Sequence, residues 1–182
     1  MPPAPRTLET ARLTLRCPDA GDGAAINEGI RESFPALSIW MEWAQGEPPP
    51  PEDTAERMSN KDAGFDDRSD FTYMAVERET GRFVGMFSLF QFDGSVPKGA
   101  IGYWVRTSAT GRGFATEATL ALARLGLETL NLARVEIRCD ALNARSRAVA
   151  ERAGFALDDL LKNDCRNPHG ALRDTCIYSR IS

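Results

Sequence analysis

Ala11 to Cys17 alternates strictly, with Leu13 and Leu15 on one side and Arg12, Thr14 and Arg16 on the other. A period of two with one apolar side is the pattern of a half-buried strand. Pro18 and Asp19 end it, and Ala25, Ile26 and Ile30 then recur at helical spacing, predicting a short helix over 22–31. Ser33 to Ala44 carries Trp40 and Trp43 three apart, which predicts a helical turn packing aromatic faces into the core. Four consecutive prolines, Pro48 to Pro51, exclude regular helix and inner strand, so a stiff surface spacer is expected. Glu52 to Asp66 resumes a helical pattern with an acidic start. Phe71 to Arg78 and Phe83 to Phe92 read as two strands around Glu79-Thr80-Gly81-Arg82, a hairpin turn in which Gly81 supplies positive φ. The second of these strands is nearly all apolar, so both of its faces should be covered.

Asp93 to Gly99 reads as a loop and Ala100 to Val105 as a further strand. Ala118, Leu122 and Leu125 recur at i, i+4 and i+7, predicting an amphipathic helix over 114–130. Arg134 to Cys139 alternates again, Asn143 to Ala153 is a second helix stopped by Gly154, and Phe155 to Lys162 and Leu172 to Arg180 close as two strands. The order is strand, helices, three strands, helix, strand, helix, two strands. The fold class is therefore α/β, a single mixed sheet of about seven strands with helices on both faces, and no repeat or low-complexity boundary divides residues 1–182.

Composition narrows the partners. The chain has 182 residues, 42% hydrophobic and 26% charged, with a net charge of −4. This is a globular composition whose electrostatics give no support to nucleic acid or an anionic membrane as partner. Cys17, Cys139, Cys165 and Cys176 are scattered and His169 is the only histidine, which argues against a zinc site and against a disulfide framework. The start lacks a signal-peptide apolar core and no run has membrane-spanning length, so the cytoplasm is the expected location.

The chemistry concentrates between the strand ending at Val105 and the helix after it, in Arg106-Thr-Ser-Ala-Thr-Gly-Arg-Gly-Phe-Ala-Thr116. Gly111 and Gly113 stand at a helix mouth, where unpaired N–H groups and the helix dipole favour a phosphate or pyrophosphate. A nucleotide P-loop is excluded because Phe114 follows Gly113 where Lys is required. A dinucleotide fingerprint would need a third glycine at Thr116 and no intervening residues after the strand, whereas 106–110 intervene. Glycines that merely permit a tight turn remain an open alternative for the loop taken alone.

Taken with Gly102-Tyr-Trp-Val105, Thr110-Gly-Arg-Gly-Phe-Ala-Thr-Glu-Ala118, Asn143-x-x-Ser146 and Gly154-Phe155, the chain resembles the GCN5-related N-acetyltransferase (GNAT) superfamily, in its RimJ/RimL-like branch. The strand 10–16 and Arg173 to Tyr178 fit as well, so the resemblance runs along essentially the whole chain. It implies a GNAT fold in which acetyl-CoA, as co-substrate, lies where the strands 100–105 and 134–139 splay apart. The family's pyrophosphate loop pattern maps onto Thr110, Gly113 and Ala115, with Thr110 departing from the usual long polar residue. The backbone from Gly111 through Arg112, Gly113, Phe114 and Ala115 to Thr116 would hold the phosphates, with Arg112 as a nearby cation.

The implied reaction is direct attack of a primary amine on the thioester, without a metal. Trp104 and Val105 would contribute main-chain contacts to the pantetheine arm, Asn143 would hold the cofactor near its reacting end, and Ser146 would return a proton to the leaving thiolate. Tyr178 is the second candidate acid and Asp158 the candidate base; a water chain could serve instead, since an N-terminal amine has a pKa of roughly 7.7–8.0. Ser146 as an ordinary first-turn residue behind an Asn143 cap stays open. Trp40 and Trp43 could wall the acceptor site, with Glu42, Glu47, Glu52 and Asp53 favouring a cation. The acceptor is a protein N-terminus or a small-molecule amine, and a homodimer is left open. The rival reading is a non-catalytic acyl-CoA-binding or sensing domain on the same fold.

Overall fold

A computed structural model describes residues 1–93 and 95–182. The elements run β1 (Thr7–Glu9), β2 (Leu13–Arg16), α1 (Gly23–Leu37), α2 (Pro51–Ser59), α3 (Lys61–Asp67), β3 (Asp70–Glu77), β4 (Phe83–Asp93), β5 (Lys98–Val105), α4 (Phe114–Arg124), β6 (Arg134–Asp140), α5 (Ala144–Arg152), β7 (Ala156–Arg166) and β8 (Leu172–Ile181). The strands form one open sheet in the order β1-β2-β3-β4-β5-β6-β8-β7, antiparallel throughout except for the β5/β6 pair.

The period-two positions of the strands sort the core into two layers. Leu13, Leu15, Tyr73, Phe87, Ile101, Val135 and Ile137 face one way and are covered by Phe114, Ala118 and Leu122 of α4 and Ala150 of α5. Met74, Phe83 and Met86 face the other way under Ile26, Ile30 and Phe34 of α1 and Met58 of α2. β4 is accordingly buried on both sides from Phe83 to Phe87, as its apolar run predicts, and Gly81 in the preceding turn has φ +68°.

Several boundaries differ from the sequence reading. The sheet has eight strands, because three residues directly after the proline-rich start, too few to show a period, pair Thr7 to Arg16 and Glu9 to Thr14. The first helix runs on to Leu37 through Pro35, so Ser33 to Leu37 is its last turn. Trp40 and Trp43 are 36% and 42% exposed, not packed in the core; Ala44, beside them, fills the buried position. Pro51 opens a helix at N1, where a missing N–H costs nothing. The pattern over 52–66 breaks at Asn60 into two helices. The helix after the glycine loop ends as α at Arg124 and widens into a π turn over Leu125–Thr129, closed by Leu130 N–H to the Leu125 carbonyl at 2.9 Å. Of the loop expected over 93–99, Gly94 lies outside the described residues; Asp93 accepts from the Ser95 amide at 2.8 Å and Lys98 already belongs to β5.

α1 reaches under the start of the glycine loop. Arg106, with only 8% of its side chain exposed, donates from Nε to Glu32 at 2.9 Å and from Nη2 to Glu28 at 2.8 Å. Glu32 also accepts from the Ser108 amide at 2.6 Å, and Ser33 Oγ from the Thr107 amide at 2.9 Å. Hydrogen bonds from Arg106 hold the Glu32 carboxyl down to about 2. A carboxyl depressed on folding stabilises the protein above its unfolded value, roughly 4.3, and loses that contribution as pH falls toward 2. Thermal melts across pH 5 to 2 should therefore show a steeper loss of Tm for the native chain than for Glu32→Gln.

Candidate active site

β5 and β6 pair only from Lys98 with Arg134 to Ala100 with Glu136. Beyond that, each strand follows its other neighbour: β5 stays on β4 as far as Val105, and β6 stays on β8 as far as Asp140. A wedge opens between the C-terminal halves of two parallel strands. Arg106 N–H donates to the Val84 carbonyl at 2.9 Å, and Gly85 faces Val105 in the register. The alternation of an antiparallel ladder then turns the N–H groups of Tyr103 and Val105 away from β4, into the wedge. The Trp104 side chain lies on the opposite face, 5.5 Å from the Phe83 ring and 6.2 Å from that of Trp43.

The glycine loop stands at the mouth of α4 on the other side of β5. Gly111 and Gly113 have φ +76° and +82°, and Gly113 is the helix N-cap without a capping side chain. Glu117 is the first residue of the helix whose N–H has a backbone acceptor, Gly113, at 3.1 Å. Among the described residues no hydrogen bond of ordinary geometry joins the N–H groups of Gly111 to Thr116 to a protein acceptor, and consecutive unpaired amides around left-handed residues make a concave anion-binding nest.

Arginines hold this loop from behind. Arg12, on the first polar turn before β2, donates to the Arg112 carbonyl at 2.9 Å, pairs with Glu117 at 2.7 Å and lies 4.7 Å over the Phe114 ring. Arg112 lies 4.5 Å over the same ring and is ion-paired with Glu77. Arg12 holds the Arg112 carbonyl on its own side of the loop. Arg112 stacks and pairs instead of reaching into the nest. The Thr110 hydroxyl donates to the Thr107 carbonyl at 2.8 Å, so that position contributes to the loop's own turn.

At the far end of the wedge, Asn143 caps α5 with Oδ1 on the Ser146 amide at 3.0 Å. Ser146 Oγ meets Tyr103 Oη at 3.0 Å, and the Ser146 carbonyl lies 3.3 Å from the same hydroxyl. Burial pushes Tyr103 up to about 12 and Cys139, which also touches Ser146, up to about 11. Tyr103 is therefore a neutral donor near neutral pH, linked to the Ser146 hydroxyl. The sequence reading assigned no role to Tyr103; the available signal was its place between Ile101 and Val105, which sets it on the α4 side of β5 and opposite Trp104.

Asp158 and Tyr178 are not brought to this point. Asp158 accepts from Ser179 Oγ at 2.5 Å and pairs with Arg134 at 2.6 Å, and both bonds hold its carboxyl below the usual range. Arg134 lies at the closed end of the β5/β6 pair, about 16 Å along the strand from Cys139. Tyr178 is fully buried, donates to Glu151 at 2.8 Å and accepts from Arg147 at 3.2 Å, which commits its hydroxyl to supporting α5. The β7 carboxylate that does reach the splayed half of β6 is Asp164, 3.4 Å from Arg138.

A mixed sheet split between two parallel strands, with an amide nest at the adjoining helix mouth, is the architecture of a coenzyme A-dependent acyltransferase fold. The chain belongs to the acetyltransferase (GNAT) domain family, whose pattern it matches over residues 12–156. It is 37% identical over 101 residues to YdaF of Bacillus subtilis (strain 168), described as a candidate ribosomal N-acetyltransferase, covering 56% of this chain and 55% of that protein. It is 32% identical over 98 residues to the ribosomal-protein-serine acetyltransferase of Escherichia coli (strain K12), covering 54% of each. These matches span a little over half the length of the curated relatives. In fold it is similar to the ribosomal L7/L12 alpha-N-protein acetyltransferase RimL, solved in complex with coenzyme A, with a TM-score of 0.87 at 22% identity over 96% of this chain and 97% of that one. Among the described residues, no helix is long and apolar enough to cross a membrane, and no three His, Cys, Asp or Glu side chains are grouped to hold a metal ion.

Proposed function

We propose that residues 1–182 form one N-acetyltransferase domain that moves an acetyl group from acetyl-CoA to a primary amine, with the α-amine of a protein N-terminus as the preferred acceptor and the cytoplasm as its place of work. The observation that carries this reading is the order of the unpaired donors beside the β5/β6 split. Six unpaired amides at Gly111 to Thr116 lead along β5 to the free N–H groups of Tyr103 and Val105, and from there to Ser146. Phosphates, an amide-bearing arm and a thioester occur in that order in acetyl-CoA. The names of the two curated relatives support a ribosomal-protein acceptor.

In this mechanism the amide nest binds the pyrophosphate, the Val105 N–H meets the arm, and the Tyr103 N–H, on the residue that touches Ser146, donates to the thioester carbonyl oxygen, where negative charge develops. The Ser146 hydroxyl, backed by Tyr103, delivers a proton to the departing sulfur. The side-chain Nδ2 of Asn143, which has no protein partner among the described residues, donates toward the same end, since its Oδ1 is held by the helix. The ammonium loses one proton to solvent before attack, a small task for a group of pKa roughly 7.7–8.0; the nitrogen sheds a second as the C–N bond forms and the C–S bond breaks, and solvent returns a proton to Ser146.

Thiol release from acetyl-CoA with a panel of amines tests the reading. Peptides with a free N-terminus should turn over, and the same peptides with a blocked N-terminus should not. Turnover only with polyamines or aminoglycosides would replace the acceptor class. Coenzyme binding without turnover on any amine would make the chain a non-catalytic acyl-CoA-binding domain.

A further inference from the structure

Among the described residues four arginines lie in or against the 106–116 segment, and three of them are spent on carboxylates: Arg12 on Glu117, Arg106 on Glu28 and Glu32, Arg112 on Glu77. The fourth is Arg152, in the last turn of α5. Its Nε donates to Thr116 Oγ1 at 3.4 Å, bridging from α5 to the first turn of α4, and among the described residues it has no carboxylate partner. α5 carries Ser146 in its first turn and Arg152 in its last, so the guanidinium stands where this helix meets the nest. That is the stretch of groove wall where the phosphate end of the ligand gives way to its arm.

We propose that Arg152, and not Arg112, is the cation that binds the pyrophosphate of the coenzyme. The assignment rests on the acetyl-CoA reading of the groove and goes beyond it by separating the arginines that build the loop from the one that serves the ligand. A guanidinium already paired with a carboxylate offers an anion little net charge, whereas an uncompensated one at a helix mouth adds its charge to that of the amides. The competing role for Arg152 is a cation that merely complements the C-terminal dipole of α5, which would stabilise the fold and leave ligand binding alone.

Calorimetric titration of the whole chain with coenzyme A and with 3′-dephospho-coenzyme A separates these roles. Arg152→Gln is expected to weaken both ligands by the same factor, roughly 10- to 100-fold, as for loss of a charge-assisted bond. Arg152→Lys should recover most of the loss, and Arg112→Gln should cost less than Arg152→Gln. The proposal is overturned by unchanged affinity in Arg152→Gln, by a loss confined to coenzyme A, which would assign Arg152 to the 3′-phosphate, or by a larger loss in Arg112→Gln. Phosphate-free pantetheine tests the groove itself: if it binds the native chain as tightly as coenzyme A, the phosphate nest is wrong whatever Arg152 does.

Discussion

Gly113→Asp is expected to weaken coenzyme A binding at least 100-fold by calorimetry while leaving a folded protein. Gly113 has φ +82°, a left-handed conformation that costs a residue with a Cβ roughly 1–2 kcal/mol. A Cβ there would stand 3.3 Å from Arg12 Nη2, which pairs with Glu117 and belongs to the guanidinium whose Nη1 holds the Arg112 carbonyl in place. Strain would be relieved by rotating the peptides whose N–H groups form the nest. The new carboxylate adds a negative charge where the phosphates are to sit, and could itself cap the free amides of the first turn, blocking the site from inside. Gly111→Asp is the comparison: its φ of +76° carries the same strain, but nothing lies within 4 Å of its added Cβ. Native affinity in Gly113→Asp would remove this loop from the coenzyme site.

Ser146→Ala should lower kcat by roughly 10²- to 10⁴-fold, the range for loss of a positioned proton donor, with little change in the affinity for acetyl-CoA. The variant isolates the hydroxyl because the capping bond from Asn143 goes to the Ser146 backbone amide and survives the change. Tyr103→Phe should reproduce part of the loss, and the double variant should cost less than the product of the two, since both act through one hydrogen bond. A chemistry-limited rate unchanged in Ser146→Ala would return this serine to the first turn of α5 as an ordinary helical residue.

Sequence periodicity located the strands and long helices because each has one face that must be buried, and burial imposes its own repeat. Leu13 and Leu15 alternate and both are fully buried; Ala118 and Leu122 lie one turn apart and both are fully buried. The glycine pair was legible for the same local reason: both φ values are positive, and few other residues adopt them without cost. Reading failed where neighbours distant in the chain decide. The tryptophans at 40 and 43 have the composition of a core, yet α1 had already filled that face with Ile26, Ile30 and Phe34. Asp158 looks like a free acid beside a second aspartate, but the sheet order brings Arg134 to it from β6.

The amino-acid sequence by itself determined the local states of this protein: which segments are strands and helices, where a helix mouth bears left-handed glycines, and which positions cap α5. These follow from interactions within a few residues, so they are written in adjacent side chains. Only the tertiary structure decided that β5 and β6 part after Ala100, that Tyr103 meets Ser146, and that Arg12 is bound to a loop 100 residues away. It also decided which arginine keeps an uncompensated charge. Every guanidinium looks alike in sequence, and only the packing of Glu77, Glu117 and Glu32 against three of them leaves Arg152 available to an anion.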